Sequence, residues 1–243
     1  MKEFAKATRL LAQPAPGTTN KFLDPTHDKH HGRGHSDFDV RKEAAGVPTT
    51  SPYGDINRWD VLWIGHCGTH FPRREHITTP LGRAVLLNVE SVPEKQHINM
   101  QLGSNGLIKQ YPPHTRVTHR SHGTMCTLAY AVTQAAARAL LWELGVHELS
   151  GSFDNMLRII CDGKQERHQL ACFSVQPQLF QHHRPRGNRS SFSDISGAGG
   201  FNEQAFSQNI RWSTRVNFPK LVTGDVDYID LYKDGEDTNA VMG

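Results

Sequence analysis

The chain has 243 residues, 37% of them hydrophobic and 8% aromatic, which is enough for one large globular domain or two small ones. Its formal net charge is only +3, so the composition predicts no nucleic-acid partner. No stretch approaches the roughly 18 consecutive apolar residues of a membrane span, and the amino terminus lacks the apolar core of a secretory signal.

The chain divides by composition into a short amphipathic helix, a long polar loop, a globular core and an acidic tail. Their predicted bounds are residues 1–12, 13–58, 59–218 and 219–243. The polar loop is rich in Pro, Gly, His, Asp and Thr, and so long a loop in a compact domain is either functional or disordered. Its histidines, at positions 27, 30, 31 and 35, could bind a metal opportunistically, although a solvated tract fits the composition better. The tail is expected to be solvated and partly disordered.

The central feature of the sequence is the run Trp59-Asp60-Val61-Leu62-Trp63-Ile64-Gly65-His66-Cys67-Gly68. A continuous apolar run ended by a glycine predicts a strand buried on both faces, as in a parallel sheet. Ligands of open α/β sheets bind at the carboxyl ends of the strands, where Gly65 and His66 would lie. A core strand with a glycine turn explains the same residues equally well. His66, Cys67 and His70 are too close in sequence to close a tetrahedral zinc site easily.

The remaining pattern predicts an α/β fold. Strands are predicted at residues 83–89, 115–120 and 171–180, and helices at residues 124–144 and 154–161. In the longer helix, apolar residues recur at helical spacing, with Thr124 as a plausible N-cap and Gly145 just past the end. Pro177 indicates that strand pairing stops there or that the strand lies at an edge.

The four cysteines are Cys67, Cys126, Cys161 and Cys172. None of them forms a C-x-x-C pair, which excludes zinc-ribbon and thioredoxin-type motifs. Cys161 and Cys172 flank a short polar segment and would be bridged in an oxidising compartment. Free buried thiols explain this pair at least as well.

Five blocks of the sequence suggest a family. In chain order they are Tyr53-Gly54-Asp55, the run 59–68, Phe153-Asp154-Asn155, Ser174-Val175-Gln176-Pro177-Gln178-Leu179-Phe180-Gln181-His182-His183-Arg184-Pro185, and Ser193-Asp194-Ile195. They resemble the fungal branch of glycosyltransferase family 25, the family of the lipooligosaccharide and collagen galactosyltransferases. The similarity spans residues 1–218.

The resemblance implies a GT-A (Rossmann-like) fold, of which this chain would be the C-terminal portion. It implies transfer of a sugar, often galactose, from a UDP-sugar donor to a hydroxyl of a glycan acceptor, with inversion. It further implies Mn²⁺ as the cofactor and a location in the Golgi or endoplasmic reticulum.

The chain departs from the family pattern at the metal motif. Metal-dependent members hold the cation with a Glu-Asp-Asp-type motif after an apolar strand, and this sequence has none. Asp37-Phe38-Asp39 has the D-x-D spacing but falls in the polar loop, and Asp225-Val226-Asp227 falls in the tail. The chain would then be the C-terminal part of a longer enzyme, not expected to be active alone, or a non-catalytic remnant. A His-rich module that binds a metal or an anionic partner is the third interpretation.

The resemblance also suggests site residues. Asp154 would take the proton from the acceptor hydroxyl, with a helix N-cap as the competing role. His182 and His183 would offer one metal ligand between them, because adjacent residues of an extended chain point to opposite sides. Donor binding would fall to Gly65, His66, Arg184, Ser193 and Asp194. The competing explanations are surface histidines, a solvated basic loop and a self-capping turn. All the functional roles require the tryptophan-rich strand and the double-histidine loop to face one cleft.

Overall fold

The computed structural model describes residues 1–14, 17–18, 22–27, 36–48, 50–76, 78–99, 102–192 and 199–237. The helices are α1 Lys2–Ala12, α2 Gly106–Gln110, α3 Gln134–Trp142, α4 Phe153–Cys161 and α5 Phe218–Thr223. The strands of the main sheet are β1 Asp37–Asp39, β2 Val61–Gly65, β3 Arg83–Leu86, β4 Arg116–Arg120, β5 Ala129–Val132 and β6 Cys172–Gln176. Four short strands follow, β7 His183–Arg184, β8 Gly187–Asn188, β9 Phe201–Asn202 and β10 Phe206–Ser207. None of the described helices is both long enough and apolar enough to cross a membrane.

Six strands form one mixed sheet in the order β1-β3-β4-β6-β2-β5. β1 is parallel to β3 and β2 is parallel to β6, whereas β4 and β5 run antiparallel to their neighbours. The strands β1, β3, β6 and β2 therefore point the same way, and their last residues, Asp39, Leu86, Gln176 and Gly65, share one edge. We call this the carboxyl edge. The predicted α/β class is confirmed, but the sheet is mixed, because β2 has a parallel neighbour on one side only.

The two faces of the sheet are covered by different helices. On one face, α1 packs its apolar side, including Leu10, against Leu62 and other side chains of the strands. On the opposite face, α3 and α4 cover Trp63, which is fully buried together with Leu157. Successive residues of a strand point to opposite faces, so the continuous apolar run of β2 supplies both cores.

The predicted helix at 124–144 is wrong in its first half. Residues Ala129–Val132 form β5, which pairs with β2 at the end of the sheet. The helix begins only at Gln134, where the hydroxyl of Thr133 accepts a hydrogen bond from the backbone N–H of Ala136 at 3.2 Å. Sheet pairing outweighs the weak helical preference of an alanine-rich run. The helix at 154–161 and the three predicted strands are confirmed as α4, β3, β4 and β6.

The polar loop and the acidic tail are more closely packed than predicted. Asp37–Asp39 is the edge strand β1, and Phe38 within it is buried in the core. In the tail, Tyr232 is 2% exposed and donates a hydrogen bond to the carbonyl of Ser207 at 3.2 Å. Single apolar residues anchor both segments, and an average over composition overlooks them. The positions of His30, His31 and His35 lie outside the described residues.

Two disulfides join the four cysteines. Cys161 and Cys172 are bridged with a Cα–Cα distance of 5.6 Å, which confirms the bridged alternative for this pair. Cys67 and Cys126 are bridged at 5.5 Å across 59 residues of sequence. Sequence reasoning missed the second bridge, because only the folded chain brings these two residues together.

Candidate functional site

The tryptophan-rich strand and the loop that follows β6 meet at the carboxyl edge. The backbone N–H of Leu179 donates to the carbonyl of Ile64 at 2.8 Å, and Gly65 forms a parallel bridge with Phe180. A Cβ atom at Gly65 would lie 2.9 Å from the Cβ of Phe180 and 2.8 Å from the backbone nitrogen of Ala129. The glycine is therefore required by close backbone approach, which explains it without a ligand.

His66 connects the two blocks from inside the protein. Its side chain is 1% exposed, and Nε2 donates a hydrogen bond to the carbonyl of Val175 at 2.9 Å. Burial lowers the pKa of His66 to about 4, although this hydrogen bond opposes the shift, so the ring is neutral at neutral pH. Its Nδ1 atom has no hydrogen-bond partner within the described residues. This burial favours a role in joining β2 to β6 over direct contact with a donor.

Asp154 lies at the same edge, in the first turn of α4. One carboxylate oxygen accepts a hydrogen bond from the hydroxyl of Ser152 at 2.6 Å and the other from the backbone N–H of Cys126 at 3.2 Å. Burial raises the pKa of Asp154, but these hydrogen bonds outweigh it, so its pKa lies below the ordinary value. The predicted N-cap role is wrong, because Ser152 occupies that position.

The backbone amide that binds Asp154 belongs to a fixed segment. The Cys67–Cys126 disulfide joins the chain after β2 to the chain before β5. Beside it, the N–H of Cys67 donates to the carbonyl of Met125 at 2.9 Å, and Trp63 Nε1 donates to the carbonyl of Cys126 at 2.7 Å. The Asp154 carboxylate is therefore held by a preorganised amide beside the end of β2.

The double-histidine loop continues from this edge into a small hairpin. His183 and Arg184 form β7, which pairs antiparallel with β10. Burial lowers the pKa of His182 and of His183, and the nearby guanidiniums of Arg184 and Arg215, respectively, lower it further. The same positive charges would oppose a bound cation. Ser193 and Asp194 lie outside the described residues.

The described part of the chain contains one group of three potential metal ligands, and it includes neither His182 nor His183. The group is Glu94, His114 and Asp234, whose ligand atoms all lie within 4.8 Å of one another. Because His114 lies two residues before β4, which starts at the carboxyl edge, the group lies at that edge, with β6 between it and β2. The three residues are far apart in sequence, so no motif could have predicted the group.

One contact of His114 favours a role as a metal ligand, and an ion pair of the neighbouring Asp234 opposes it. Its Nδ1 atom donates to the carbonyl of Val92 at 2.7 Å, which leaves the lone pair on Nε2, 3.6 Å from a carboxylate oxygen of Asp234. A carbonyl that fixes the tautomer in this way commonly supports a histidine ligand. The same oxygen of Asp234 lies 3.0 Å from Arg211 Nη1, so a bound cation would have to displace this ion pair.

The Asp37-Phe38-Asp39 sequence, which has D-x-D spacing, is occupied by protein contacts. Tyr111 donates its hydroxyl to both carboxylate oxygens of Asp37, each at 3.0 Å. Asp39 accepts a hydrogen bond from the N–H of Arg41 at 2.9 Å and pairs with Lys42 at 3.3 Å. These contacts belong to an edge strand, which corrects its prediction as part of a surface loop.

The fold contains two cavities of about 290 and 230 Å³. The larger is lined by side chains that include Arg58 and Arg120, near the start of β2 and the end of β4. The smaller is lined by side chains that include Phe71, Arg83 and Lys109. Among the residues predicted for the transferase site, those that the structure describes line neither cavity.

No protein-family model, no curated protein and no solved structure matches this chain. A functional assignment therefore rests on the sequence blocks quoted above and on the geometry of the carboxyl edge.

Proposed function

We propose that the chain is a glycosyltransferase domain of the family-25 type, built on the GT-A pattern. It transfers a sugar, galactose in the first instance, from a UDP-sugar to a hydroxyl of a glycan acceptor, with inversion. The observation that carries this proposal is the meeting of three separate blocks at one edge of the sheet. Gly65, Phe180 and Asp154 belong to three different blocks, and each lies at or beside the end of β2.

Asp154 is the proposed general base. An inverting transfer needs a carboxylate that accepts the proton of the acceptor hydroxyl as that oxygen attacks the sugar. Asp154 is ionised at neutral pH, and the hydrogen bonds from Ser152 and Cys126 orient its two oxygens. Its lowered pKa makes it a weaker base than the reaction favours, and this supports the alternative of a non-catalytic remnant.

The proposed cofactor is Mn²⁺, which accepts imidazole and carboxylate ligands together. Glu94, His114 and Asp234 have this donor composition and offer one site for it. The family resemblance instead directs Mn²⁺ to His182 or His183, close to the Gly65–Phe180 bridge. Donor binding is proposed for Arg184, Ser193 and Asp194, the last two by resemblance alone, and not for His66, whose ring is buried.

A secretory location remains part of the proposal. Disulfides persist in oxidising compartments and are rare in the cytosol. Two bridges that use all four cysteines are consistent with folding in the endoplasmic reticulum.

Calorimetric titration of the chain with UDP, in Mn²⁺ and then in EDTA, tests donor binding. We expect saturable binding that is at least tenfold weaker in EDTA, together with hydrolysis or transfer from UDP-galactose. His114→Ala and the double variant His182→Ala/His183→Ala then distinguish the two metal sites, since only one should abolish the Mn²⁺ dependence. Absence of UDP binding in both buffers would refute the transferase and favour the remnant.

Asp154→Asn tests the catalytic step separately. It keeps the size of the side chain and removes the base, so the turnover should fall by about 10²- to 10⁴-fold while UDP affinity is retained. Asp227→Asn is the matched control, because this carboxylate is 98% exposed in the tail. Equal turnover in the two variants would remove Asp154 from the mechanism.

A further inference from the structure

The smaller cavity, of about 230 Å³, is basic. Its floor is formed by Phe71, Pro72 and Arg83, which are buried, and its rim carries the exposed side chains of Arg73 and Lys109. Arg83 is the first residue of β3, so the cavity lies at the amino ends of the parallel strands, opposite the carboxyl edge. We call it the basic cavity.

Arg83 is fixed by two hydrogen bonds, but not all of its N–H groups have a partner in the described part of the chain. It is 5% exposed, and its guanidinium lies 3.9 Å from the ring centroid of Phe71. Its Nη1 atom donates to Gln110 at 2.6 Å and to the hydroxyl of Tyr111 at 3.1 Å. Its Nε is buried without a hydrogen-bond partner among the described residues, and both hydrogen bonds to Gln110 and Tyr111 use Nη1 rather than Nη2. Nε and Nη2 form the edge with which arginine binds a carboxylate or phosphate side-on.

The charges around the basic cavity are not balanced by its own lining. Among its described lining residues, Arg73, Arg83 and Lys109 are cations and none carries a carboxylate. The hydroxyl of Tyr111 links Arg83 to Asp37, because it accepts a hydrogen bond from Arg83 and donates to the Asp37 carboxylate. A buried guanidinium with unused donors costs stability, and an anion that supplies acceptors would offset this cost.

Size and chemistry narrow the class of ligand. The cavity volume suits a small molecule rather than a polymer, and Ser104 and Asn105 add neutral polar groups beside the three cations. Phe71 and Pro72 offer an apolar wall to a carbon skeleton. We propose that the basic cavity binds a tetrahedral oxyanion, the phosphate or sulfate group of a small molecule. The inference is independent of the transferase, because no described residue of the proposed transferase site lines the cavity.

Calorimetric titration of the full chain with inorganic phosphate, sulfate and a sugar phosphate tests the proposal, with glycerol as the uncharged control. We expect saturable binding with one site per chain that weakens as the NaCl concentration rises, because the rim charges are screened. A sugar phosphate that binds more tightly than inorganic phosphate would identify an ester as the ligand. Equal affinities would identify the free ion.

Variants of the rim test the location without disturbing the core. Arg73→Ala/Lys109→Ala should weaken phosphate binding at least tenfold, whereas Arg74→Ala/Lys2→Ala, with the same change in charge at exposed positions outside the cavity, should leave it within twofold. Arg83→Lys should also weaken it, because lysine lacks the planar edge. The proposal fails if 10 mM phosphate gives no saturable heat, or if the two double variants weaken binding equally.

Discussion

Opening the Cys67–Cys126 bridge should cost more stability than opening the other bridge. The Cys67→Ala/Cys126→Ala variant releases a loop spanning 59 residues, for which chain entropy predicts a loss of about 4 kcal/mol. The Cys161→Ala/Cys172→Ala variant releases a loop spanning only 11 residues, for which the same relation gives about 3 kcal/mol. Alanine is used because a buried serine at 161 or 172 would add the cost of an unpaired hydroxyl.

The assay is urea denaturation followed by tryptophan fluorescence, for the native protein and both variants, with and without reductant. Reductant should lower the midpoint of the native protein below that of either variant, and it should leave a variant that lacks all four cysteines unchanged. The first variant should also raise the pKa of Asp154, because the amide of Cys126 would no longer be held beside the carboxylate. Alkylation of four thiols in the unreduced protein, or a midpoint that reductant does not move, would refute the reasoning.

Three further predictions concern the packing of the core, the stability of the protein at low pH and a helix cap. Leu157→Ala, at a position with 0% exposure, should cost about 2–5 kcal/mol in urea denaturation, whereas Leu141→Ala, at a position 72% exposed, should change stability by less than about 0.5 kcal/mol. The pKa of His66 is about 4 in the folded chain, below the ordinary histidine value of 6.5, so the unfolded chain binds the proton first as pH falls. Stability should therefore fall between these pH values by up to about 1.4 kcal/mol per pH unit, and His66→Gln should flatten that slope without a loss of folding at neutral pH. Thr133→Ala should cost about 1 kcal/mol in thermal unfolding by removing the cap of α3, and Thr133→Ser should retain most of it.

Local patterns were sufficient for the strongly apolar elements. The strand around Trp63 could be predicted because its apolar run is continuous, and the helix at 154–161 because its apolar residues recur at helical spacing. The structure of residues 124–133 could not be predicted, since alanines fit both a helix and a strand. These residues form a strand because β2 offers its free edge for pairing. The candidate metal group of Glu94, His114 and Asp234 was equally hidden, because three chain segments distant in sequence must fold before their ligand atoms meet.

The amino-acid sequence by itself determined that a doubly buried strand and a polar loop stand at the centre of an α/β protein, since burial on both faces requires a continuous apolar run. Only the tertiary structure decided that Cys67 and Cys126 are bridged, that the D-x-D sequence is an edge strand, and that a buried arginine lines a basic cavity. Each of these depends on which distant segments become neighbours. Contacts of that kind follow from the packing of the whole chain and cannot be predicted from a short stretch of its sequence.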